Sequence, residues 1–164
     1  MLAASLPRSV CDVLEPRTLR YARTVPVEYL QRLLGTTEPA RLHTFLTADA
    51  AGQYFKLNGD KVRQDFLAPA LSRAKFLRAP VFANNIIHNF RPGRPLLYPT
   101  FEDGGVIPEP LIHSIREAAD RCIVSVQWQD EDLLMLDNTR YLHGRRAVVD
   151  PDRAIWTQFS DADF

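Results

Sequence analysis

Disulfides, membrane spans and a field of one sign are all missing from this chain. Its two cysteines, Cys11 and Cys122, are few and far apart, which suits reduced thiols in the cytoplasm and argues against a disulfide framework. Apolar runs stop well short of the roughly 20 residues that a transmembrane helix needs. The stretch from Met1 to Arg8 has no basic leader and too short an apolar core for a signal peptide. Twenty basic residues balance twenty acidic ones, so neither a nucleic-acid backbone nor an anionic membrane meets a general attraction. The absence that bears most on function is local. His43, His88, His113 and His143 are followed two positions on by Phe45, Phe90, Ile115 and Arg145, so no His-X-Asp or His-X-Glu pair exists to complete a metal site.

What is present is the composition of a soluble globular domain, 46% hydrophobic and 24% charged. The 164 residues fit a single domain with a hydrophobic core, and no repeat or linker divides them. Leu2 to Glu15 reads as a short helix with Pro7 near its start. Arg17 to Thr24 alternates as a half-buried strand that Pro26 ends. Val27 to Leu34 reads as a helix closed by Gly35, and Glu38 to Leu46 as another with Pro39 in its first turn. Gln53 to Leu57, the turn Asn58-Gly59-Asp60 and Lys61 to Phe66 make a β-hairpin. Phe76 to Phe90 reads as loop and strand, and Arg91 to Gly105 as a long irregular connection of the kind that often carries function. Pro108 to Ala119 is the best helix, with Leu111, Ile112, Ile115 and Ala119 on one face. Cys122 to Trp128 and Leu133 to Leu136 read as strands joined by the turn Gln129 to Asp132. The fold class expected is therefore mainly β with peripheral helices, α+β.

Chemistry concentrates in Leu136-Asp137-Asn138-Thr139-Arg140-Tyr141-Leu142-His143-Gly144-Arg145-Arg146, followed by Arg153. An imidazole there can ligate a metal and a guanidinium can clamp a carboxylate. Each candidate also has a structural reading. A lone histidine in a strand is commonly a hydrogen-bonded structural residue, and Arg153 after Asp150-Pro151-Asp152 can serve a local ion pair. Asn84 and Asn85 can contact a polar substrate or satisfy backbone groups at strand ends. Trp128, Phe82 and Trp156 read as core aromatics.

These elements resemble the taurine dioxygenase (TauD/TfdA-like) family of iron(II)- and 2-oxoglutarate-dependent oxygenases. The matching residues are Phe82-Ala83-Asn84-Asn85, Phe101-Glu102-Asp103-Gly104-Gly105, the helix to Ala119, Trp128 with Gln129-Asp130-Glu131-Asp132, and the stretch from Leu136 to Arg146 with Arg153. The resemblance implies a double-stranded β-helix, or jelly roll, of the clavaminate-synthase type. It implies that His143 is the distal metal histidine and that Arg153 binds 2-oxoglutarate, with Arg145 or Arg146 as the alternative carboxylate contact. Asn84 and Asn85, read from the residues themselves, are the candidates for contact with a polar substrate or co-substrate. The family holds iron with two histidines and one carboxylate, and the missing pair suggests a domain, residues 1–164, that lacks its N-terminal part.

Two functional expectations follow from the resemblance. If another segment or a complementing chain supplies the missing ligands, the protein oxidises a small molecule, hydroxylating or desaturating it with Fe(II) and 2-oxoglutarate. If nothing does, it is a catalytically inactive jelly-roll remnant that binds a partner. A hydrophobic strand edge left open would be covered by self-association, so a homodimer or a tendency to aggregate is expected.

Overall fold

The computed structural model describes residues 2–47, 52–74, 79–90, 98–144, 152 and 154–158. Strand β1 (Thr18–Pro26) is the axis of the architecture. It pairs antiparallel with β3 (Lys61–Pro69) along its whole length, Thr18 opposite Pro69 and Pro26 opposite Lys61. β2 (Gln53–Asn58) lies outside β3, joined through the expected tight turn, where Gly59 takes φ +61°. That left-handed conformation costs glycine nothing sterically. β6 (Thr100–Phe101) flanks β1 on the other side, giving the order β2-β3-β1-β6. A separate ribbon pairs β4 (Ser72–Arg73) with β5 (Pro80–Val81).

Proline and glycine set most helix limits. Pro7 divides the expected N-terminal helix into α1 (Leu2–Ser5) and α2 (Arg8–Leu14), because a proline in a helix interior removes a backbone donor and clashes with the preceding turn. α3 (Val27–Leu34) begins as β1 ends and stops at Gly35, φ +62°, where Thr36 N–H returns to the Gln31 carbonyl at 3.0 Å. α4 is Pro39–Thr47. α5 (Ile86–Asn89) is a single turn inside the stretch expected to be loop and strand. α6 (Glu109–Cys122) starts after Pro108 and buries Leu111, Ile112, Ile115 and Ala118. Ala118 takes the core position expected for Ala119.

The main core joins α1, α2 and α6 to the sheet through Leu14, Leu19, Phe82, Ile86, Phe101 and Ile115. A second cluster, Leu30, Leu42 and Val62, seats α3 and α4 on the hairpin, with Phe45 and Phe55 ring centroids 5.1 Å apart. The Phe101-Glu102-Asp103-Gly104-Gly105 motif is a tight turn. Asp103 accepts from Gly105 N–H at 2.8 Å and from Arg17 at 2.9 Å, which ties the β6 loop to the foot of β1.

The described residues are thus an antiparallel sheet with packed helices, an α+β architecture in which helix exceeds strand. The mainly-β emphasis is corrected by the last quarter. Cys122 closes α6, and neither 123–128 nor 133–136 forms a strand. The turn between them does form, with Asp132 N–H donating to the Gln129 carbonyl at 3.2 Å and Gln129 N–H to the Asp132 carboxylate at 2.8 Å. Alternation alone is insufficient, since a strand also needs a neighbour, and among the described residues no strand runs beside these segments.

Candidate functional site

One cleft of about 330 Å³ is lined by Asn84, Asn85, Ile87, His88, Leu142 and His143. Its floor is the turn leading into α5. Phe82 and Ile86 anchor that turn in the core at 2% and 0% exposure. Asn84 spends both ends of its carboxamide on backbone: Nδ2 donates to the Ala70 carbonyl at 2.9 Å and Oδ1 accepts from Ile86 N–H at 3.0 Å. This is the structural reading of Asn84, a side chain that shapes the turn. Asn85 makes no side-chain cap to α5 and is exposed on the cleft.

Tyr21 of β1 lies beneath Asn85. Its hydroxyl is buried with no hydrogen-bond partner. Burial pushes it well above the usual tyrosine range, and the nearby Asn85 backbone N–H, outside hydrogen-bonding geometry, offsets only part of that effect.

The other wall descends from the Asp137 turn. The Asp137 carboxylate accepts from the Thr139 hydroxyl at 2.6 Å and from Thr139 N–H at 2.9 Å, and its carbonyl accepts from Arg140 and Tyr141 N–H, both at 3.0 Å. The Thr139 hydroxyl foremost, then Thr139 N–H and the Arg140 charge, hold the Asp137 carboxyl below the usual carboxylate range. The Arg140 guanidinium lies over the Tyr141 ring, 5.4 Å from its centroid. From this turn the chain runs to Leu142 and His143, which is exposed.

His143, Asn84 and Asn85 therefore share one cleft. Arg145, Arg146 and Arg153 lie outside the described residues. His88 is the residue that sequence reasoning passed over: it carries no motif spacing, and only the α5 turn brings it to the wall shared with His143. His113 is elsewhere, on the outer face of α6, 3.3 Å from Glu117.

The cleft is lined by two imidazoles and by the carboxamide of Asn85, that of Asn84 being spent on backbone, and none of its lining residues is a carboxylate. Among the described residues no three histidine, cysteine, aspartate or glutamate side chains come together. This donor set does not fit an iron site of two histidines and one carboxylate, whose charge and fixed geometry select Fe(II). What it fits is hydrogen bonding to a small polar ligand.

A family model described as "Taurine catabolism dioxygenase TauD, TfdA family" matches residues 12–158. A clavaminate synthase-like protein of Arabidopsis thaliana is 36% identical over 56 residues, 34% of this chain and 17% of that protein. The matched stretch thus covers under a fifth of that relative's length. No solved structure matches the chain. With the family model spanning most of the sequence, this chain belongs to the TauD/TfdA dioxygenase family.

Proposed function

We propose that this protein works within a 2-oxoglutarate-dependent dioxygenase that hydroxylates or desaturates a small molecule, with the His-X-Asp or His-X-Glu pair supplied by polypeptide other than these 164 residues. His143 is the histidine it contributes toward iron. Arg153, or Arg145, takes the 2-oxoglutarate carboxylate as a bidentate clamp. Asn85 faces the substrate, and Asn84 holds the turn on which Asn85 stands. The completed domain is a double-stranded β-helix. A cytoplasmic location suits the free thiols of Cys11 and Cys122, and among the described residues no helix is long and apolar enough to cross a membrane.

The observation that supports this reading best is the cleft itself. His143, the distal metal histidine by resemblance, and the Asn84-Asn85 pair, the substrate-contact candidates, are far apart in sequence, and they line one cavity. Its volume of about 330 Å³ lies at the small end of small-molecule pockets.

The test is release of succinate from 2-oxoglutarate in the presence of Fe(II). The 164-residue chain alone is expected to release none. The same chain joined by a polypeptide carrying the missing pair, encoded beside it, is expected to release succinate, and His143→Ala to abolish that release. Turnover by the chain alone contradicts the need for added ligands. Absence of turnover in both arms contradicts the enzymatic reading and favours an inactive binding module.

A further inference from the structure

The single turn of α5 aims a residue without a motif at the cleft. Successive residues of a helix are about 100° apart, so His88, two positions after Ile86, points about 200° away from it. Ile86 is buried in the main core at 0% exposure, and that burial fixes His88 on the opposite side, one turn on from Asn85. Both ends of α5 are fastened. Asn84 bonds the Ala70 carbonyl at its start, Asn89 and Phe90 N–H return to the Asn85 and Ile86 carbonyls at 3.0 and 3.1 Å, and the Arg116 guanidinium of α6 donates to the Phe90 carbonyl at its end. The wall that carries Asn85 and His88 is thus held by the core of these residues and not by the polypeptide that completes the domain. Ile87 and Leu142 add aliphatic surface to the same cleft.

We propose that His88 is a specificity-determining contact of this cleft, donating with Asn85 to the carbonyl or carboxylate oxygen of a substrate whose short aliphatic portion lies along Ile87 and Leu142. Imidazole and carboxamide both offer N–H donors to such an oxygen. An ammonium group at the same place is rejected, because none of the lining residues carries a negative charge to pair with it and a desolvated cation without a partner is costly. Two aliphatic side chains beside the donors favour a carbon arm over a fully polar ligand. The proposal rests on the reading of this cleft as the place of the substrate. Succinate release tests that reading, whereas binding of a probe without iron or 2-oxoglutarate tests His88, so the two can fail separately.

The experiment is a metal-free NMR titration of the full chain with butyramide, butyrate and n-butylammonium, following the side-chain resonances of His88 and Asn85. The two oxygen probes are expected to shift both residues and to saturate with a Kd on the order of 1–10 mM, and n-butylammonium to bind at least about tenfold more weakly. His88→Leu should raise the Kd of the oxygen probes at least about threefold. His88→Gln, which keeps a donor and an acceptor, should stay within about twofold of the parent chain. His113→Ala, on the outer face of α6 beside Glu117, should leave binding unchanged, and backbone amide spectra check that each variant keeps its fold. Failure of both oxygen probes to saturate below about 100 mM overturns the proposal. So does n-butylammonium binding as well as they do, His88→Leu binding like the parent chain, or His88→Gln losing as much as His88→Leu.

Discussion

Asn84 holds Ala70: the carboxamide Nδ2 donates to the Ala70 carbonyl at 2.9 Å, and Ala70 is only 1% exposed. The floor of the His143 cleft is therefore fastened to the main core, while the neighbouring Asn85 is left open to it. Replacing Asn84 by alanine strands a buried acceptor and the Ile86 N–H together. We expect Asn84→Ala to lower unfolding free energy by about 1–3 kcal/mol and Asn85→Ala to stay within about 0.5 kcal/mol, both read from urea denaturation. Equal losses at the two positions would contradict the division of labour between them.

Tyr21 gives the opposite expectation. Its hydroxyl is buried without a hydrogen bond, so it bears a desolvation cost that the nearby Asn85 N–H offsets only in part. Its ring still packs against Phe66, centroids 6.2 Å apart. Tyr21→Phe should leave stability unchanged or raise it by up to about 1 kcal/mol. A loss larger than that would mean that the Asn85 N–H is a true partner of the hydroxyl in solution.

The acid limb of the stability profile has an identifiable contributor in Asp65. Arg63 donates to both of its carboxylate oxygens, at 2.8 and 2.9 Å, and this hydrogen bonding, ahead of all other effects, holds Asp65 below the usual carboxylate range. A group whose folded-state pKa is depressed binds protons more readily when unfolded. Its contribution is complete above the unfolded value of about 4 and is lost as pH falls through the lower folded-state value. The pair is half exposed on the Arg63 side, so solvent screening limits the effect to about 1 kcal/mol or less. Denaturant midpoints followed from pH 6 down to about pH 3 should fall less steeply for Asp65→Asn than for the parent chain. An identical slope would contradict the assignment.

Local chemistry made much of this fold legible in the sequence. The Asn58-Gly59 step sets the hairpin and its register, Gly35 stops α3, and Pro108 with its apolar face announces α6, because each signal acts within a few residues. What was not legible depends on partners distant in sequence. The alternation from Cys122 to Trp128 could not say whether a neighbouring strand would be there. His88 has no motif, and only the packing of Ile86 and Phe82 into the core brings it beside His143. The Asp103 motif was recognised, but its bond to Arg17, 86 positions away, came only with the fold. Pro7 is plain in the sequence, but a proline near a helix start can either begin a helix or divide one into two, and the local sequence does not decide between them.

The central claim is that these residues provide part of an iron site, His143 with its surrounding cleft, and not the whole of it. Anaerobic Fe(II) titration of the 164-residue chain and of His143→Ala tests it most directly. The account predicts no saturable binding by the chain alone at low micromolar Fe(II), roughly a Kd well above 1 µM, and no carboxylate-dependent site. Stoichiometric binding with a Kd below about 1 µM, lost in His143→Ala, would contradict it and show that the chain assembles a complete metal site from its own residues.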